Sequence, residues 1–484
     1  MSSTEGRNSQ GGRAPLRAWL MCLGFWLTLS SEQVLAQADE RRSALTLEQV
    51  LRSTVAHHPS VQAALAREDV AEAELMRARG AFDPALSVRG ALRHGGYYEL
   101  RRVDAELRAP TPWLGAEVWA GYRYGRGVDG DERYPSYYSD QTLDRGELRA
   151  GVRVPLLRDR ALDDRRAGRE RAELAVEGAQ QVRALALIEL ERRAAAAYWS
   201  WVAAGRGQQV CEELLVLAET RLGAVRERVA SGIIPEVDTL EAERAWLSRQ
   251  DCVIQARRNV EAAAIVLGLF LRSDNGAPAP PGPGLVPRDL PLPPAPVMTQ
   301  PTVTRVLACH PRIAAQRAVM ESQRVVRDLA QQRRQPRLDA LAEVSRDLGQ
   351  GDSSLPGTVL ELGVQLSVPL ALRDARGQHA ASEAQLAVER EQLRLAEDEV
   401  RAELSDIASA YQAALERHAL LSRLEQNAEQ LAAAERRQLE LGATSLLFVN
   451  LREQGVAEAS LARVQAVRAL WEQALRWQAA TRCE

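Results

Sequence analysis

The chain has few residues placed to do chemistry. Its six histidines stand at positions 57, 58, 94, 310, 379 and 418, and none belongs to a Cys/His cluster with metal-site spacing. The adjacent His57-His58 pair could bind a metal, but its place at a helix break suits a capping role better. P-loop, G-x-S-x-G and H-E-x-x-H patterns are all absent, so the sequence suggests no catalytic residue, no metal site and no cofactor. Two kinds of candidate remain. Asp238 and Glu241 lie one helical turn apart, which puts both carboxylates on one helix face, by default a solvated one. Five cysteines are present, of which Cys211, Cys252, Cys309 and Cys483 lie in the body of the chain. An even number in an oxidising compartment permits two disulfides.

That compartment is suggested by the N-terminus. Arg13 and Arg17 flank an apolar run, Ala18 to Leu29, and Ala36-Gln37-Ala38 follows as a cleavage pattern, so residues 1–38 are expected to be a removable export signal. Cys22 falls inside that run. No later stretch reaches the ~20 apolar residues of a membrane helix. The net charge of −3 does not suggest a nucleic-acid partner, and all 62 basic residues are Arg. Aromatics make up only 5% of the 484 residues, while Ala, Leu, Glu, Gln and Arg dominate the long stretches and favour helix.

The elements that must position these residues occur twice. VAHHPSVQAA and LACHPRIAAQ place the same His-Pro step 252 residues apart, at Pro59 and Pro311. Pro59 to Pro84 and Pro311 to Pro336 both span 25 residues. GVRVPLLRD (151–159) matches QLSVPLALRD (365–374), and glycine markers follow at Gly232 and Gly442 after 77 and 73 residues. The spacing implies a tandem duplication. One interval differs, Pro84–Pro155 at 71 residues against Pro336–Pro369 at 33, so the first copy carries about 38 extra residues.

Each copy reads as a short helix, a helix of ~25 residues, alternating strands, a very long helix, a turn and a returning helix. Thr46 with Gln49 forms a capping-box pattern at the first helix. Leu215, Ala218, Leu222, Val225 and Val229 step by 3 and 4, as do Leu420, Leu424, Asn427, Leu431 and Ala434, so both sets are expected to form packing seams. The first copy is expected at 39–272, with strands about 84–155 and helices 160–231 and 235–271. The second is expected at 302–484, with strands about 336–369 and helices 373–441 and 445–482, after a Pro-rich linker at 273–301. Tyr97, Tyr98, Trp113, Trp119, Tyr122, Tyr124, Tyr134, Tyr137 and Tyr138 concentrate around the first copy's strands. A helix of ~70 residues is about 105 Å long, so each pair of shorter helices is expected to stack end to end along one long helix.

The duplication, the x-P-x-V…FDP opening, the V-P-L step from strand to long helix and the far turn, with GATSLLFVNLRE in the second copy, resemble the outer-membrane efflux protein family, the TolC-like exit ducts. Many members have Asn-Pro where this chain has His-Pro. The resemblance implies a mainly α fold with membrane β: duplicated long helical hairpins in a periplasmic α-barrel, with strands contributed to a trimeric transmembrane β-barrel. It implies a homotrimer in outer-membrane lipid, a periplasmic adaptor (membrane fusion) protein and an inner-membrane pump reached through it. Drug efflux, metal efflux and type I protein secretion all fit. A soluble periplasmic coiled-coil scaffold would explain the helices but not the aromatic-rich strands. The family usually shows two strands per copy; here the first copy has room for four, as a long extracellular hairpin or as extra wall strands.

On that reading Gly232, Ile233, Ile234 and Pro235, with Gly442, Ala443, Thr444 and Ser445, form the tip that meets the adaptor. Asp238 and Glu241 become a carboxylate ring at the periplasmic mouth, with Phe448, an apolar residue where a second-copy acidic gate is absent, and Arg452 beside them. Cys211 lies 21 residues before Gly232 and Cys252 lies 20 after it, so both stand ~30 Å from the tip of an antiparallel hairpin. Cys309 and Cys483 fall ~40 and ~48 Å from the barrel end, which makes them a second candidate pair.

Overall fold

The computed structural model describes residues 44–94, 100–127, 141–296, 299–351 and 357–483. The expected export segment and Tyr97, Tyr98, Tyr134, Tyr137 and Tyr138 lie outside these residues. The chain forms two compact units. One takes in the chain up to Thr54, Ala194–Leu292 and Arg417–Ala469, and the other takes in Val55–Arg193, Pro293–Glu416 and Leu470–Glu484.

The first repeat opens with α1 (Leu47–His57) and α2 (Pro59–Arg79), and the second with α5 (Gln300–Cys309) and α6 (Pro311–Gln332). Thr46 and Gln49 make the reciprocal capping box: the Thr46 N–H donates to Gln49 Oε1 at 2.9 Å, and the Gln49 N–H donates to Thr46 Oγ1 at 3.3 Å. Each His-Pro step is a helix junction. His58 Nδ1 accepts from the Ser60 N–H at 3.1 Å, and His310 Nδ1 accepts from the Arg312 N–H at 3.2 Å. Proline then occupies the first helical position, where its missing N–H costs nothing. His58 and His310 are both caps; of the His57-His58 pair, for which a capping role was expected, His58 fills it.

The first repeat continues with β1 (Ala85–Arg93), β2 (Leu100–Pro110), β3 (Glu117–Gly127) and β4 (Glu147–Pro155), then α3 (Asp164–Ala230) and α4 (Val237–Gly268). The second continues with β5 (Arg337–Asp347) and β6 (Val359–Ser367), then α7 (Arg373–Glu440) and α8 (Leu446–Thr481). Among the described residues no helix is long and apolar enough to cross a membrane.

The strands belong to the second unit. They form one antiparallel sheet in the order β1-β2-β3-β4-β5-β6. The 38 extra residues of the first copy thus include two full sheet strands, β2 and β3, paired from Leu100↔Gly127 to Pro110↔Glu117. The sheet has two chemically distinct faces, set by period-2 alternation. One carries an apolar row across all six strands, Leu86–Leu107–Ala120–Ala150–Val344–Leu360. The other carries cross-strand ion pairs, Arg123–Asp104 at 2.9 Å, Arg149–Glu106 at 3.0 Å and Arg153–Glu117 at 2.8 Å. Gly121 lies between Glu106 and Arg149 in the register, so the absence of a side chain there lets that pair reach across β3. Trp119 faces Gly151 directly, and a Cβ at Gly151 would stand 2.3 Å from the indole.

In the first unit the expected seam of α3 is present: Ala218, Leu222 and Val225 are buried. The expected seam of α7 is not. Leu420, Leu424 and Leu431 are 65%, 52% and 51% exposed. The inward stripe is His418, Leu421, Glu425, Ala428, Ala432, Glu435 and Leu439, which also steps by 3 and 4. The physical reason is small side chains plus paired carboxylates. Glu425 accepts from Ser460 Oγ at 2.7 Å and is ion-paired with Arg463, so α8 packs on this stripe rather than on the leucines.

Candidate functional site

The two glycine turns, at equivalent positions of the two repeats, come together in the first unit. Both are built alike. Gly232 has φ +69° and Gly442 has φ +72°, the left-handed conformation that glycine takes at no steric cost. The Gly232 N–H donates to Val229 O and the Ile233 N–H to Arg228 O; the Gly442 N–H donates to Leu439 O and the Ala443 N–H to Gln438 O. These bonds satisfy the last carbonyls of α3 and α7 in the Schellman pattern, so each long helix stops sharply and its partner turns back. Leu446, just after the second turn, shares one cluster with Leu222, Val225 and Ala242, and Ile234 and Leu439 pack against it. Ile233 and Pro235 remain exposed, as do Gly442, Ala443 and Ser445.

The candidate mouth residues lie on two helices, Asp238 and Glu241 on α4 and Phe448 and Arg452 on α8. Asp238 is half-buried in the first turn of α4, where a carboxylate complements the helix dipole. Glu241 is 23% exposed and pairs with Arg244 at 3.0 Å. Phe448 is 51% exposed. Arg452 pairs with Glu435 at 3.7 Å, and Thr444 Oγ1 donates to the same carboxylate at 2.5 Å, which ties the second turn to the end of α7.

A buried polar cluster just behind the turns escaped sequence reasoning. Glu453 on α8 keeps only 8% of its side chain exposed. Arg221 on α3 grips it with both terminal nitrogens at 2.6 Å, and Arg436 on α7 adds a contact at 3.2 Å. Arg221 also donates to Asn450 Oδ1 at 3.1 Å. Burial pushes the Arg249 guanidinium below its usual range, while Glu453 and Glu458 pull it back up. The Arg221–Glu453 link joins residues 232 apart, which no local pattern signals.

Farther from the turns, Cys211 and Cys252 are bonded with Cα atoms 5.7 Å apart, and Val253 and Ala256 pack around them. In the second unit Cys309 and Cys483 are bonded with Cα atoms 5.3 Å apart, joining the end of α5 to the C-terminal residues. Among the described residues no group of three His, Cys, Asp or Glu is placed to hold a metal ion.

The model of the outer membrane efflux protein family matches residues 131–271. No curated protein matches the sequence. Among solved structures the chain is similar to VceC of Vibrio cholerae, with TM-score 0.61, 17% identity and coverage of 91% of this chain and 97% of that one. It is similar to MtrE of Neisseria gonorrhoeae in its open state, with TM-score 0.63, 15% identity and 90% and 88% coverage. The outer-membrane channel OprN gives 0.63, 16%, and 91% and 93%. The class is therefore defined: this is the fold of outer-membrane channels, long helical hairpins joined to an antiparallel sheet. Residues 131–271 match the outer membrane efflux protein domain, and the chain shares the fold of these outer-membrane channels.

Proposed function

We propose that the chain is the passive, trimeric exit duct of a tripartite efflux or type I secretion system, and that it catalyses no reaction. The six-stranded sheet with one apolar face carries this reading. A sheet with that face suits lipid, but its two open edges do not, because unpaired backbone groups in hydrocarbon cost several kcal/mol each. Closure between copies removes them. The helices form the periplasmic tube, and the two repeats arose by duplication, with domains at 39–272 and 302–484 joined by the Pro-rich linker. Gly232–Pro235 and Gly442–Ser445 form the tip that meets the helical hairpin of a periplasmic adaptor, through which an inner-membrane pump supplies the energy. Asp238 and Glu241, tripled about the axis, ring the mouth, with Phe448 and Arg452 next to them.

Two measurements test this. The detergent-extracted protein should run as a heat-modifiable trimer; a monodisperse monomer in mild detergent counts against the duct. Gly232→Arg should abolish export while leaving trimer and membrane insertion intact. Normal resistance or secretion in that variant would remove the tip assignment.

A further inference from the structure

We infer that three copies close an eighteen-stranded barrel by pairing β6 of each protomer with β1 of the next, and that the β2–β3 hairpin is wall rather than appendage. The inference rests on the trimeric reading above. Three six-stranded sheets make eighteen strands, an even number within the range of bacterial outer-membrane barrels. Protomers with the family's usual two strands per copy would make twelve.

Four observations support it. First, β1 and β6 are the two edges and match in length at nine residues each. Every residue of β1 is exposed, and all but one of β6, so nothing among the described residues covers either edge. Second, the strands alternate in direction without a crossover, so β1 and β6 run oppositely and meet as an antiparallel pair between copies. Third, the apolar row ends at Leu86 on one edge and Leu360 on the other, 69% and 67% exposed, so joining the edges continues one lipid-facing band. Fourth, the polar face of the β2–β3 hairpin is bonded into the sheet. Arg149 on β4 reaches Glu106 on β2, Arg153 on β4 reaches Glu117 on β3, and Arg149 lies 3.9 Å from Glu343 on β5. An extracellular flap would have no such register with β4 and β5. Barrel diameter grows roughly linearly with strand number, so this barrel is about 1.5 times as wide as a twelve-stranded one, with a lining of paired charges.

The test uses the full-length chain in outer-membrane preparations. Paired cysteines are introduced at Leu86 or Val88 on β1 and at Leu360, Leu362 or Val364 on β6, all on the apolar face. Oxidation should give a covalent ladder of dimer and trimer, with no higher band, for the pairs whose Cα atoms fall within about 7 Å. Single cysteines at Ala105, Glu106 and Leu107 carry spin labels. Collision with lipid-soluble oxygen should dominate at 105 and 107, and collision with a water-soluble nickel chelate at 106. A trimer that gives no covalent ladder across the panel, or water contact at all three β2 positions, overturns the eighteen-strand wall and leaves the duct reading standing. A monomer overturns the duct reading and this inference together.

Discussion

Replacing Glu453 by Ala should loosen the helical end that carries the turns. The carboxylate is 8% exposed and holds two 2.6 Å bonds to Arg221, whose side chain is 15% exposed. Removing one partner of a buried pair costs ~3–5 kcal/mol, because the other charge is left uncompensated. Arg436 is 44% exposed, so its share is screened to ~1 kcal/mol or less. The lower part of the range, ~3 kcal/mol, is therefore expected. At 1.4 kcal/mol per decade that is about a hundredfold rise in local opening. Hydrogen exchange of the α8 amides around Asn450–Ser460, followed by mass spectrometry on the detergent-extracted protein, reads it directly. Arg221→Met combined with Glu453→Leu removes both charges and should exchange more slowly than Glu453→Ala alone. The reasoning is refuted if Glu453→Ala leaves these amides within threefold of the parent, or if the costs of the double variant simply add.

Three further outcomes are expected. Reducing Cys211–Cys252 removes a cross-link spanning 41 residues, worth ~4 kcal/mol in the chain-entropy account, and a tryptic map without reductant should join those two peptides; finding both thiols freely alkylated refutes the bond. The Asp238→Asn, Glu241→Gln double variant should lose cation preference and block by multivalent cations in planar bilayers, since rings of carboxylates select cations; unchanged selectivity returns the pair to a solvated face. Burial first, and Arg312 second, hold His310 below the ordinary imidazole range. Its unfolded form therefore takes up a proton first, so its stability contribution is complete above about pH 6.5 and falls as pH drops toward the folded value. Melting in detergent at pH 7.5 and 5.5 should show an acid loss that His310→Asn reduces, and an equal loss in both proteins refutes the role.

Local chemistry was legible without coordinates. The Thr46–Gln49 box, the His-Pro junctions, the Gly232 and Gly442 turns, the α3 seam and the alternating Val359–Ser367 strand all depend on residues within a few positions of each other, where propensity and period act directly. The repeat spacings and the equal distances of Cys211 and Cys252 from Gly232 followed from counting alone. Other features waited for tertiary contacts. Leu420, Leu424 and Leu431 have the right period to face inward, yet α8 packs on the neighbouring stripe, because Glu425 and Glu435 find partners there in Ser460, Arg463, Thr444 and Arg452. Hydrophobic period cannot distinguish two stripes a single residue apart when the partners of one are supplied by another helix. In the same way the extra residues of the first copy read equally as hairpin or wall. Pairing of β2 with β1 and β3, and ion pairs reaching to β4, made them strands of the six-stranded sheet, since strand register is decided by neighbours and not by the strand itself.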